Sequence, residues 1–178
     1  MPITQDPRPL VGEPLSLDLL NTVWIDGGRR HDLLDDVDGL RIWLAGTGRR
    51  DLPEASEAAR QSLVGAREVL RGWLTGQGSA DALNAILARG RLVRRLDVDG
   101  PTMTAETAEP ADLAAWLALN DYLGLLERDP SRIRRCAHPD CVLHFYDISP
   151  KGNRRWCSMA GCGNRAKAAR HYARTKEQ

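Results

Sequence analysis

Apolar positions recur at helical spacing through most of this chain. The clearest run lies between Pro53 and Leu74, where Ala59, Leu63, Ala66, Leu70 and Trp73 return at four- and three-residue steps. That period predicts one long amphipathic helix. Gly76 and Gly78 end it, Ser79 supplies a cap for the next helix, and Leu83, Ile86 and Leu87 give that helix a buried face before Gly90. Another helix is expected from about Ala111 to Leu126, with Leu113, Trp116, Leu119, Leu123 and Leu126 toward the core. Upstream, Leu15, Leu19, Leu20, Val23 and Trp24 fall near one helical face behind Pro14, although alternation at Leu15, Leu17 and Leu19 would also suit a strand. A loop through Gly27, Gly28, Arg29, Arg30 and His31 then leads to a short helix on Leu40, Trp43 and Leu44, ended by Gly46 and Gly48. The period changes to two at Leu92, Arg94, Leu96 and Val98. These run into Asp99-Gly100-Pro101 with Thr102, Met103 and Thr104 beyond, which predicts a small β-hairpin.

Glu127-Arg128-Asp129-Pro130 breaks the helical pattern, since the residue before a proline is pushed out of the α region. Charge changes sign at the same place. Residues 1–130 carry 14 Lys and Arg against 21 Asp and Glu, net −7; residues 131–178 carry 11 against 3, net +8. The chain therefore divides into a mostly helical domain, 1–130, and a basic tail, 131–178. No apolar run approaches the ~20 residues that span a bilayer, and the polar, proline-broken start lacks the apolar stretch of a signal peptide. We expect no membrane partner and a cytoplasmic protein, in which thiols stay reduced.

All four cysteines lie in the tail as two matched pairs, Cys136/Cys141 and Cys157/Cys162, in the pattern C-x4-C-x15-C-x4-C. Each short loop can turn two thiolates toward one point, and the fifteen residues between are enough for a hairpin that joins the pairs around a tetrahedral ion. One structural Zn²⁺ per chain is the expected occupant, because four sulfurs close the shell. Two disulfides, an iron–sulfur cluster or four unrelated buried thiols are the alternatives, and His138 or His144 could substitute as a ligand. In this tail we expect a strand near Ile133, the first pair, a hairpin of Leu143–Ile148 with Arg154–Trp156, and the second pair opening a helix over about 164–174. That order is treble-clef-like, and the whole is a mainly α protein.

The segment Arg154-Arg155-Trp156-Cys157-Ser158-Met159 followed by Cys162-Gly163-Asn164-Arg165 resembles the CGNR zinc finger. Phe145-Tyr146-Asp147 with Ser149 resembles that family's F-x-D-x-S segment, and Lys167, Arg170, His171 and Arg174 resemble its basic C-terminal helix. Val142 departs from the small or polar residue expected after the second cysteine, which bears on local packing. Upstream, Leu17-Asp18-Leu19-Leu20-Asn21-Thr22 and Asp32-Leu33-Leu34 resemble the ABATE domain usually found before this finger. The resemblance implies a bacterial, stress-induced transcription regulator that binds DNA.

Several residues invite roles. Lys167, Arg170, His171 and Arg174 share one face of the last helix and, with Arg154 and Arg155, suit phosphate contacts. The plainer reading is a solvated face that complements its own helix terminus and the zinc thiolates. Arg165 is expected to reach Asp147 or a thiolate and steady the site. Asp18, Asn21 and Thr22 interrupt an apolar stretch, so they either line a ligand pocket or satisfy backbone groups. Trp24, Trp43, Trp73 and Trp116 fit core packing. No catalytic constellation is present, so we expect a DNA-binding regulator and not an enzyme. A zinc-dependent protein-interaction module and a helical ligand-binding domain of unrecognised activity are the alternatives. A small-molecule effector and a homodimer remain further partners to test.

Overall fold

At the centre of the packing sits a helix of six residues, α1 (Leu15–Leu20), in which Ser16 through Leu20 are all buried. In the computed structural model residues 5–176 are described, apart from the side chains of Arg170, His171, Ala173, Arg174 and Lys176. A helix this short is not stable alone, so tertiary contacts hold it. The backbone N–H and hydroxyl of Ser16 both donate to Asp121 Oδ2, at 2.9 and 2.7 Å. The helix ends earlier than the apolar spacing predicts, because Thr22 Oγ1 donates back to the Leu19 carbonyl and Val23 and Trp24 turn into a strand. That strand, β1 (Val23–Asp26), pairs antiparallel with β2 (Arg29–Asp32) around Gly27 and Gly28, whose φ values of 55° and 79° form a two-residue turn that favours glycine at both places. What the sequence suggested was a loop is thus a hairpin, with Trp24 stacked on His31 at 5.1 Å.

The helices that follow carry the caps their sequences offer. Asp36 accepts from Gly39 N–H ahead of α2 (Val37–Gly46), Ser56 from Ala59 N–H ahead of α3 (Glu57–Leu74), and Ser79 from Ala82 N–H ahead of α4 (Ala80–Leu87). Along α3 the predicted stripe of Ala59, Leu63, Ala66 and Leu70 is buried, whereas Trp73 is half exposed and donates its indole N–H to the Tyr122 hydroxyl at 3.0 Å. The later hairpin forms as predicted and runs longer, with β3 (Gly90–Asp97) paired to β4 (Gly100–Thr107). Its base fits closely, since a Cβ at Gly90 would lie 2.7 Å from the Trp116 ring. Its tip carries the exposed side chains of Leu96, Val98 and Met103.

Helix α5 (Leu113–Arg128) packs against α1, α3 and α4, and Ala114 through Leu119 are buried without a break. Its core-facing arc passes through Ala118, Tyr122 and Leu125, one position off the expected stripe, and leaves Leu123 exposed.

In the tail, β5 (Ile133–Arg135) pairs with β6 (His144–Tyr146) and closes the chain on either side of the first cysteine pair. The expected pairing of Leu143–Ile148 with Arg154–Trp156 does not form. The buried Asp147 carboxylate takes the Arg154 N–H at 2.8 Å, and the Arg155 carbonyl accepts from Ala137 N–H, so the later segment is held by single bonds and not by a ladder. A π-helical turn, Met159–Gly163, leads into α6 (Asn164–Lys176). Leu143, Phe145, Tyr146 and all four cysteines join one apolar cluster with Leu17, Trp43, Leu63 and Leu119. Among the described residues no helix is long and apolar enough to cross a membrane.

Candidate metal centre

The first cysteine pair closes on local backbone bonds. Cys136 N–H donates to the Leu143 carbonyl at 2.9 Å and Cys141 N–H to the His138 carbonyl at 3.0 Å, which turns both side chains inward. The second pair is shaped by Ser158, whose hydroxyl accepts from Gly161 N–H at 2.9 Å and whose carbonyl accepts from Gly163 N–H at 3.0 Å. This cap winds the π-helical turn so that Cys162, on its last turn, comes back over Cys157. All four Sγ atoms are buried and lie within 4.8 Å of one another.

The geometry fits a tetrahedral thiolate site. Sulfurs bonded at about 2.3 Å to one zinc ion stand roughly 3.8 Å apart, and Cys141–Cys157 and Cys157–Cys162 are separated by 3.9 and 3.5 Å. Disulfides would need sulfurs at about 2.05 Å, and all four cysteines are free thiols. The Cys157 thiol faces Cys141, and that contact holds Cys141 down at about 5 while Cys157 is pushed up, and burial pushes the Cys136 thiol up as well. Two further donors face the sulfurs, Cys157 N–H at 3.4 Å from Cys136 Sγ and Arg165 Nη2 at 3.1 Å from Cys162 Sγ. Four cysteines so placed can hold a zinc ion. Neither histidine joins them: His138 Nδ1 accepts from Asp140 N–H, and His144 lies on β6 in the seam with α3. A cleft of about 470 Å³ between Trp24, Asp26, Ser158 and Arg165 opens beside three of the sulfurs.

Arg165 reaches Cys162 and not Asp147. Asp147 is fully buried and fixes the chain by accepting from Ser149 N–H and Arg154 N–H, at 2.9 and 2.8 Å. The phosphate-contact set needs correction at Arg154. Its guanidinium is drawn inward to Glu13 Oε1 and the Trp156 and Cys157 carbonyls and lies 4.1 Å over the Phe145 ring, so its Nε and Nη2 donors are committed to the fold. Arg155 and Lys167 are exposed, with no ion pair among the described residues. The side chains of Arg170, His171 and Arg174 lie outside the described residues, although their backbone continues α6.

The ligand-pocket reading of Asp18, Asn21 and Thr22 also gives way. Asp18 is tied to Arg8 at 2.9 Å and to Gly12 N–H, with burial pushing its carboxyl up against the pull of Arg8. Thr22 Oγ1 accepts from Arg67, which also pairs with Asp32 at 2.6 Å. Asn21 bonds across to β6 like a strand partner, its Nδ2 donating to the His144 carbonyl at 2.9 Å and its Oδ1 accepting His144 N–H at 2.8 Å. Glu13 completes the clasp by accepting Tyr146 N–H at 3.0 Å. Sequence reading missed Glu13 and Arg154 in these roles. Glu13 and Arg154 pair across 141 residues of chain, and no local pattern announces such a pair.

Comparison with known families agrees with this arrangement. Residues 132–175 match the CGNR zinc finger family, and residues 13–129 match the ABATE family, described as "Putative stress-induced transcription regulator". No match was found among curated proteins.

Proposed function

From the premise that the chain belongs to the ABATE family and carries a CGNR zinc finger, we propose that it is a cytoplasmic, non-catalytic transcription regulator of a bacterial stress response that binds DNA through its zinc-held tail. The observation that carries this reading is the net charge of +8 confined to residues 131–178. Three arginines there are spent on the fold: Arg132 donates to the Asp147 and Ser149 carbonyls, Arg154 to Glu13, and Arg165 to a thiolate. Of the other basic residues, Lys167, Arg170 and Arg174 follow one another at helical spacing along α6, with the exposed Arg155 ahead of it, a pattern suited to phosphate oxygens. We read residues 131–178 as a treble-clef-like unit that shares its apolar core with the helical domain 1–130, with the second cysteine pair opening onto the contacting helix. The test is selection of genomic DNA fragments by the zinc-loaded full chain, followed by sequencing. Enrichment of fragments sharing a sequence supports a regulator, whereas failure to retain any DNA overturns the reading.

A second reading, contact with a further copy of this chain, is favoured by the β3–β4 ribbon, where Leu96 and Val98 are 85% and 96% exposed. Exposed apolar tips of this kind mark association surfaces. Light scattering decides it: a monomer mass at micromolar concentration removes this reading and leaves DNA binding untouched.

A further inference from the structure

Between α3 and the β5–β6 pair lies a cleft of about 510 Å³ walled by Arg71, Leu74, Ile133, Arg135, Val142 and His144. Thr75 also borders it, with its hydroxyl spent on the Arg71 and Gly72 carbonyls. The lining thus holds three basic side chains, three apolar ones and no carboxylate. Arg71 is mostly buried, yet its pairing is poor: Nε stands 3.8 Å from Glu68 Oε2, Nη2 makes a long 3.3 Å bond to the Leu20 carbonyl, and Nε has no hydrogen-bond partner among the described residues. Arg135 is little better served, with a 3.4 Å bond to the Cys141 carbonyl. His144 Nδ1 is buried without a hydrogen bond of normal geometry among the described residues. The cleft is electropositive: burial first, then the charges of Arg71 and Arg135, hold the His144 imidazole down at about 4, against a weaker opposing pull from the Val142 carbonyl.

Buried cations and buried polar atoms left under-paired are costly, and such costs are retained where a ligand relieves them. Guanidinium groups pair with a carboxylate through two N–H donors that meet two oxygens, and the apolar half of the wall suits an organic body beside that charge. We propose that this cleft binds a small organic carboxylate, with its charged end held by Arg71 and Arg135 and its apolar body against Leu74, Ile133 and Val142. The occupant would join α3 to the strand pair that flanks the first cysteines. The site makes no use of the basic face of α6, so it stands whether or not the protein binds DNA.

The test uses the zinc-loaded full chain and three probes of one shape: benzoate, neutral benzamide and cationic benzamidine, each followed by NMR of isotope-labelled protein. Benzoate should bind saturably at millimolar concentration and shift the backbone signals of Arg71, Val142 and His144. Benzamide should bind at least about tenfold more weakly, the equivalent of ~1.4 kcal/mol, and benzamidine should not bind. R135M, at an exposed position, should lose at least tenfold in benzoate affinity with its zinc content and melting temperature unchanged, and R71M should lose as much if it folds. Equal affinities for benzoate and benzamide would overturn the assignment. So would benzoate shifts confined to other regions, the absence of saturation, or a folded R135M that binds benzoate as the native chain does.

Discussion

Replacing Asn21 by Ala should weaken the whole molecule far more than the loss of one polar side chain suggests. Asn21 is fully buried and its amide makes two hydrogen bonds of 2.8 and 2.9 Å to the backbone of His144. Alanine removes both and leaves one N–H and one C=O of β6 without partners in a closed interface. Each stranded group costs about 1–3 kcal/mol, so N21A should lose about 2 to 6 kcal/mol, a large share of the ~5–15 kcal/mol that holds an ordinary domain. The exposed Asn84→Ala on α4 is the control and should stay within about 0.5 kcal/mol of the parent. Urea unfolding of zinc-loaded protein, followed by circular dichroism and tryptophan fluorescence, measures both. Because Phe145 and Leu143 share the apolar cluster of the helices, the two signals should coincide. A loss in N21A no greater than in N84A, or separate transitions for the helices and the tail, would refute the reasoning.

Other outcomes follow from the same contacts. Arg165→Met removes the donor to Cys162 Sγ and should weaken zinc affinity about 10- to 100-fold, read by competition with a chromophoric chelator, while the fold at saturating zinc is unchanged. Metal analysis should return one zinc per chain, and Cys157→Ala should lose it; stripping zinc should lower the melting temperature of the helical part as well, since the shared cluster loses the order of its tail end. Arg67→Ala should cost up to about 3–5 kcal/mol, because it leaves the buried Asp32 carboxylate with only the longer 3.7 Å contact to Arg30 and the Leu34 N–H. His144 is neutral in the folded state down to about 4, below its ordinary 6.5, so the unfolded chain takes up the proton first as pH falls. Its contribution is fully present above pH 6.5 and is lost progressively toward pH 4. H144L should therefore lose about 1 to 2 kcal/mol less than the parent between about pH 6.5 and pH 5, by equilibrium unfolding.

Local chemistry was legible in the sequence, and long-range clasps were not. Ser79, the α3 stripe and the β3–β4 hairpin depend on neighbours a few residues away, so spacing alone revealed them. The cysteine quartet was legible for the same reason, as each pair closes its own loop. Val23 and Trp24 were misplaced because a helical and an extended reading bury the same apolar residues; Thr22 and the Gly27–Gly28 turn decide between them. The pairing of β6 could not be read because its partner depends on where Asp147 sends its carboxylate oxygens. Asn21 and Arg154 resembled a pocket residue and a phosphate contact, and Glu13 carried no signal at all. Their actual partners are set by how α1 docks on β6, which no periodicity records.

The salt dependence of DNA binding tests the central claim most directly. With about four phosphate contacts from Arg155, Lys167, Arg170 and Arg174, log K should fall against log salt with a slope of about −3 to −4, and each substitution by Ala should remove about one unit. The four-residue Ala variant should stay folded and zinc-loaded, since Arg155 and Lys167 are exposed and alanine suits the helix on which positions 170 and 174 lie, and its slope should approach zero. If that variant were folded, zinc-loaded and bound to DNA with the slope of the native chain, the basic face would be a solvated surface and the proposed DNA-binding role would be contradicted.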